Sequence, residues 1–235
     1  MSTTQVHVLI PAAGTGTRYG GATLKQYLPL AGKAVLAHTI SAFQFHPMIS
    51  SITVILAETD QWFESTIGVL ATTVQTVTGG ETREHSVRNG LHYLAENYAD
   101  SDWALVHDAA RPCLSASRLE KFLEQGMASE HGAILAVPVN DTLKRAGDSN
   151  EIIATVDRNG LWAAQTPQLF RIGELAAAID AAHAAGCVLT DEASAMEFTG
   201  VRPLLVMGSN ANIKITYSSD LAIAEALLAR KGIST

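Results

Sequence analysis

Short apolar runs rich in β-branched residues recur along the chain, each about as long as one buried strand. Val6–Ile10, Ile52–Ala57, Thr73–Val77, Trp103–Val106, Ala133–Val137 and Leu204–Met207 are such runs. Their hydrophobicity is continuous rather than alternating, which predicts strands covered on both faces. Between them the spacing becomes helical: Leu36, Ile40 and Phe43 stand at i, i+4 and i+7, as do Val87, Leu91 and Leu94. Ser117 and Glu120 predict a capping box ahead of Leu119, Phe122 and Leu123. Asp220–Arg230 predicts a last helix with basic residues at its end. Alternation of strand and helix predicts an α/β fold, a mostly parallel sheet with helices on both faces. In such sheets ligands bind beyond the carboxyl ends of the strands.

One stretch departs from this rhythm. Asn140–Arg158 places Gly147-Asp148-Ser149-Asn150 between two short runs of polar and aliphatic residues, a β-hairpin pattern. Such a hairpin has little apolar surface to bury and is marginal alone. It predicts a protruding arm, at about 139–158, that packs on a second subunit; a plain surface loop is the simpler reading of the same residues. No internal repeat or linker interrupts residues 1–235, which read as a single domain bearing this arm.

Composition narrows the class. With 235 residues, 47% hydrophobic and 17% charged, the chain can bury a substantial core and is not disordered. No apolar run is long enough to span a bilayer, and no basic segment precedes a long apolar stretch at the N-terminus. A cytoplasmic protein with no membrane association is expected. Two cysteines, Cys113 and Cys187, are too few for a disulfide framework. The net charge of −7 argues against nucleic acid as a partner. Its distribution says more. Residues 1–57 hold no acid and carry Arg18, Lys25 and Lys33, a net +3, leaving −10 for the remainder of a chain of −7. Buried strands and a core helix account for most of that stretch, but not for two cations flanking a glycine-rich loop. That pairing predicts an anion site.

The loop is Pro11-Ala-Ala-Gly-Thr-Gly-Thr-Arg18, directly after the first strand. Gly14 and Gly16 allow backbone N–H groups to converge on a phosphate. A dinucleotide fingerprint would need glycine where Tyr19 stands, and a phosphate loop of the Walker type would need Lys-Ser/Thr after Gly21. Arg18 and Lys25 instead supply two cations for a polyphosphate. Asp108, just past the strand Trp103–Val106, is placed either to hold Mg²⁺ against nucleotide phosphates or to cap the following turn. His107 and Asp108 are no triad, since neighbours on a strand point to opposite faces. The remaining histidines are scattered and read as structural. Thr142, Lys144 and Arg145 lie on the hairpin, Asp157 and Arg158 at its end; Thr190-Asp191-Glu192 precedes a short helix, and Asn212–Thr216 predicts a strand presenting Lys214. Singly these are surface charges. With Arg18, Lys25 and Arg111 they would make a cationic pocket suited to a substrate with several phosphates.

The motifs PAAGTGTR, LKQY (Leu24–Tyr27), GGETREHSV (Gly79–Val87), VHDAARP (Val106–Pro112), DTLKR (Asp141–Arg145), VDRNGLW (Val156–Trp162), QTPQ (Gln165–Gln168), TDEASAME (Thr190–Glu197) and NIKIT (Asn212–Thr216) occur in order over nearly the whole chain. Together they resemble the 2-C-methyl-D-erythritol 4-phosphate cytidylyltransferases of the non-mevalonate isoprenoid pathway. Tyr19, Leu24 and Glu81 stand where that family usually has Met, Pro and Asp. The resemblance implies a Rossmann-like nucleotidyltransferase that uses CTP and Mg²⁺, releases pyrophosphate and works as a homodimer through the 139–158 arm. It implies that Pro11, Ala12, Ala13, Gly14, Thr15 and Gly16 wrap the triphosphate, while Arg18 and Lys25 stabilise charge on the α-phosphate. Gly80, Glu81 and Ser86 would read cytosine and its surroundings. Asp108 would sit near Mg²⁺ and the substrate, and Lys214 would hold the attacking phosphate. Thr142 and Arg158 would reach the partner's methylerythritol phosphate, and Arg111, Thr166, Thr190 and Asp191 would complete the acceptor pocket.

No serine, cysteine or general base is required, because the acceptor phosphate is already a nucleophile; catalysis is then alignment and charge neutralisation. Two alternatives remain at this level. Another polyol phosphate, such as ribitol 5-phosphate, would use closely related motifs. A non-catalytic nucleotide-binding regulator would keep the loop but have no use for Asp108, Arg158 and Lys214 together.

Overall fold

The computed structural model describes residues 4–14 and 24–231. In chain order the first elements are β1 (Val6–Pro11), β2 (Pro29–Leu30), β3 (Lys33–Ala34), α1 (Val35–Ser41), β4 (Ile49–Leu56), α2 (Phe63–Ile67) and β5 (Gln75–Thr78). Next come α3 (Arg83–Asn97), β6 (Trp103–Val106), α4 (Ala116–Ala128), β7 (Ala133–Pro138), β8 (Leu143–Ala146) and β9 (Ile152–Val156). The chain closes with β10 (Trp162–Arg171), α5 (Ile172–Ala184), α6 (Glu192–Phe198), β11 (Leu204–Met207) and α7 (Ser218–Lys231).

Seven strands form one sheet in the order β11-β7-β10-β6-β1-β4-β5. All neighbouring pairs are parallel except those of β10, which runs antiparallel between β6 and β7. This is the mostly parallel sheet expected from the sequence. Its strands bury both faces. Val6, Val8 and Ile10 pack with α1, α2 and α4, whereas Leu9 packs with α3, α5 and α6 on the opposite side. Each of these fully buried side chains contributes about 1.5–3 kcal/mol of burial. A third cluster, with Val35, Ala110 and Ile215, seats α7. Among the described residues no helix is long and apolar enough to cross a membrane.

Three local readings change. Helix α4 is capped by Ser115, whose Oγ accepts from Arg118 N at 3.3 Å, so the predicted Ser117–Glu120 box does not form. Asn212–Thr216 is not a strand; it is an extended segment tied to the sheet end by Ile215 N–H donating to Ala110 O at 2.8 Å. β10 is not predicted by the hydrophobic pattern at all, because it buries Gln165, Thr166 and Gln168 where a core strand would carry aliphatics. The hairpin, by contrast, is formed as expected. β8 and β9 make a separate two-stranded sheet, with Asn150 at φ 63° in its turn and Ile152 and Ile153 67% and 62% exposed.

Candidate active site

Four parallel strands, β5, β4, β1 and β6, end on the same side, and the segments that follow β1, β5 and β6 line a cleft of about 250 Å³. Pro11–Gly14, leaving β1, forms one wall. Gln26 fixes it: its Nε2 donates to Ala12 O at 2.8 Å and to Gly14 O at 3.3 Å, with Lys25 beside it on the cleft. Thr15, Gly16 and Arg18 lie outside the described residues.

Gly80, Glu81, Thr82 and Ser86 form the opposite wall. The walls meet closely at Gly79, where a Cβ would stand 2.7 Å from Ala13 Cβ and 2.8 Å from Ser86 Oγ, so glycine is required there. Thr82 caps α3 by accepting from His85 N, and the buried Ser86 hydroxyl donates to Thr82 O and receives Gly80 N–H. Ser86 thus shapes the wall.

Asp108 forms the floor, buried at 7% exposure. Three cations converge on it. Lys214 Nζ lies 2.9 Å from Oδ2, Arg111 Nε 3.3 Å from Oδ2, and Arg83 Nη2 3.2 Å from Oδ1. Burial alone would push this carboxyl up; the charges of Arg83, Lys214 and Arg111 outweigh it and hold Asp108 well below the usual carboxylate range. Asp108 offsets one of these three charges and Glu192, paired with Arg83, a second, so the predicted cationic pocket is partly balanced from within and keeps net positive charge. Behind the floor, Asp108 N–H donates to Thr166 Oγ1 at 3.0 Å, and that hydroxyl lies 3.1 Å from His107 Nδ1. His107 Nε2 faces Arg111 O at 3.1 Å. This chain is satisfied by a neutral imidazole protonated on Nε2, in keeping with burial lowering His107 to about 4.

Thus Pro11, Ala12, Ala13, Gly14, Lys25, Gly80, Glu81, Ser86, Asp108 and Lys214 line one cleft. Arg111 and Thr166 are buried behind it, Arg111 also donating to Asn212 O at 2.7 Å. Thr190 and Asp191 line a small adjoining pocket. The Asp191 carboxylate already accepts from Ser194 N and from Gln168 Nε2, both at 2.9 Å. Thr142 and Arg158 are exposed on the arm and are not among the residues lining the cleft, and Arg158 donates to Asn140 O.

Sequence reasoning assigned no role to Gln26, Arg83, Glu192 or Asn212. Gln26, Arg83 and Glu192 lie inside quoted motifs, and Asn212 opens another, but only the fold reveals that Arg83 joins Asp108 to Glu192. Among the described residues no cluster of three or more His, Cys, Asp or Glu could hold a metal ion. A lone carboxylate fits Mg²⁺ carried on nucleotide phosphates, which needs only one or two protein ligands.

The profile of the 2-C-methyl-D-erythritol 4-phosphate cytidylyltransferase family matches residues 6–230. The chain is 47% identical to the 2-C-methyl-D-erythritol 4-phosphate cytidylyltransferase of Chromobacterium violaceum, over 95% of this chain and 97% of that one. It is 46% identical to the protein of that name from Dechloromonas aromatica, over 96% and 98%. Among solved structures, a 4-diphosphocytidyl-2C-methyl-D-erythritol synthase superposes with TM-score 0.85 at 41% identity, covering 96% and 100% of the two chains. The Francisella tularensis cytidylyltransferase gives 0.83 at 36% identity, covering 95% and 99%.

Proposed function

Because the chain belongs to the 2-C-methyl-D-erythritol 4-phosphate cytidylyltransferase family, we propose the following division of labour in its cleft. The enzyme transfers CMP from CTP to 2-C-methyl-D-erythritol 4-phosphate, giving 4-diphosphocytidyl-2-C-methyl-D-erythritol and pyrophosphate. An acceptor phosphate oxygen forms the new bond to the α-phosphorus. The bond from that phosphorus to the α–β bridging oxygen breaks, and pyrophosphate leaves with the electron pair. Two phosphate groups must therefore approach each other, and the site's work is to offset their repulsion while keeping them in line.

The observation that carries this reading is the convergence of the Pro11–Gly14 wall, Lys25 and Lys214 on a single cleft at the carboxyl ends of the strands. The Pro11–Gly16 loop cradles the triphosphate, with Arg18 and Lys25 stabilising charge on the α-phosphate. Gly80 and Glu81 face the base, and Ser86 holds their loop. Lys214 receives the acceptor phosphate, exchanging its pairing with Asp108 for one with substrate. Asp108 would help to hold Mg²⁺ brought in with the nucleotide, and the ion would supply neutralisation of phosphate charge. Arg111 and Thr166 support that floor, while Thr190 and Asp191 bound the acceptor side.

The arm fits a homodimer. Ile152 and Ile153 are largely exposed on a two-stranded sheet of their own, and Thr142 and Arg158 are not among the residues lining their own cleft, so each arm would complete the partner's acceptor pocket. The relatives carry the methylerythritol phosphate name, and ribitol 5-phosphate has no comparable support. Pyrophosphate release tests all of this, with CTP, Mg²⁺ and methylerythritol phosphate beside ribitol 5-phosphate and the other three nucleoside triphosphates. Release with CTP and methylerythritol phosphate alone is expected. Release only with ribitol phosphate, or none from folded protein, would overturn it.

A further inference from the structure

Arg83 occupies the first position of α3, directly after the capping Thr82, so it belongs to the nucleotide wall. Its guanidinium leaves that wall and spans two carboxylates from distant parts of the chain. Nε and Nη2 each stand 3.2 Å from Asp108 Oδ1, while Nη1 and Nη2 lie 2.7 and 3.3 Å from Glu192 Oε1 and Oε2. Glu192 is only 2% exposed and follows directly on Thr190 and Asp191, the acceptor side of the cleft.

The two carboxylates depend on Arg83 unequally. Asp108 also has Arg111 and Lys214, whereas the ion pair of Glu192 among the described residues is with Arg83 alone. Removing Arg83 leaves Asp108 compensated and Glu192 as a buried carboxylate without its counter-ion, which must take up a proton or move towards water; either way its tie to the nucleotide wall is lost. The segment has a second tether: Gln168 receives Ala193 N–H at 2.8 Å and donates to Asp191 at 2.9 Å. That tether fixes the start of α6 to β10, and Arg83 fixes the same segment to the nucleotide wall. Gripping two carboxylates at once needs the planar fork of an arginine, which a lysine lacks.

We propose that Arg83 is a positioning residue of the transfer reaction: by bridging Asp108 and Glu192 it sets the Thr190–Glu192 segment against the nucleotide wall, so that the acceptor phosphate is held in line with the CTP α-phosphate. This rests on the cytidylyltransferase reading above. A misplacement near 1 Å in such a site lowers turnover by about 100-fold.

The test compares R83M, R83K, E192Q and the R83M/E192Q double variant with wild type, as full-length enzyme. Steady-state kinetics give kcat and both KM values; calorimetry gives CTP affinity without acceptor. R83M should lose about 100-fold in kcat/KM for methylerythritol phosphate, shared between higher KM and lower kcat, with CTP affinity changed less than about threefold. R83K should recover less than about a tenth of wild-type efficiency. The double variant should match R83M within about threefold, because Glu192 acts through Arg83. Parallel loss of CTP affinity, a fall in kcat with both KM values unchanged, or losses that multiply in the double variant would overturn the clamp. If R83M does not fold, R83K and E192Q carry the same kinetic split. Hydrogen exchange supplies a readout free of turnover: amides 190–193 should exchange at least about tenfold faster in R83M than in wild type. Unchanged exchange there overturns the clamp even if the acceptor proves to be something else, whereas inactive wild type with methylerythritol phosphate overturns the reaction alone.

Discussion

β1 and β6 are parallel neighbours, and each end of the pair carries a buried histidine beside an aspartate. At the amino end His7 stacks on Tyr98 with ring centroids 3.8 Å apart, and its Nδ1 meets Ser51 Oγ at 2.8 Å. Asp102 stands 3.6 Å from His7 Nε2 and accepts the Gln5 N–H at 2.9 Å. His7 itself is fully buried, and its partners Ser51, Tyr98 and Asp102 are partly so. At the carboxyl end His107 is equally buried, but Asp108 collects three cations and forms the floor of an open cleft. The same residue types therefore give a closed structural knot at one end and a site at the other. Strand polarity decides which. In a parallel sheet the loops that leave the carboxyl ends diverge and leave backbone N–H groups facing outward, whereas the chain enters the amino ends through compact connections.

The largest expected effect would break the comparison if it fell at the wrong end. Lys214→Ala should lower kcat/KM by about 10²–10³-fold, the range for removing one charge-stabilising donor from a transition state. Pyrophosphate release by the variant measures it; a loss under about fivefold would remove Lys214 from the proposed role. Next is acid sensitivity, which should belong to both ends but chiefly to His107. Its folded value of about 4 lies below the ordinary 6.5, so the unfolded chain binds the extra proton between these limits. Stability is thus full above pH 6.5 and falls as pH drops towards 4, by up to about 3 kcal/mol from this group. Urea unfolding at pH 7.0 and 4.5 should show the fall, and His107→Gln should flatten it. The smallest effect sharpens the contrast: His7→Gln should destabilise by about 1–2 kcal/mol through the lost buried hydrogen bond, yet keep kcat within about twofold. A large activity loss there would mean that the two ends are coupled.

Much of the site was legible before any coordinates. The turn of Pro11–Gly14 onto the cleft with Lys25 beside it, and an acid just beyond an apolar strand at the carboxyl edge, both follow from local chemistry. The charge balance was less legible. Lys214 and Arg111 read as free cations in the sequence, but pair with Asp108 in the fold. Arg83 was invisible as a bridge because one partner, Glu192, lies 109 positions away. The N-cap was misplaced by two residues for a simpler reason: Ser115 and Ser117 both suit that position, and only the helix start at Ala116 separates them.

By itself the sequence determined the strand–helix alternation, the continuous burial of β1, β4, β6 and β7, the hairpin and its turn, and the turn of Pro11–Gly14 at the carboxyl end of β1. These depend on neighbours within a few residues, where periodicity and backbone freedom act directly. Only the tertiary structure decided that β10 exists and runs antiparallel. Its buried Gln165, Thr166 and Gln168 belong in a strand because they satisfy Asn212, Asp108, Asp191 and Ala193 across the sheet end. Likewise it alone decided which carboxylates meet which cations. Hydrogen bonds and ion pairs between distant segments leave no periodic trace in a chain, and they arise only once the sheet has set its strand order.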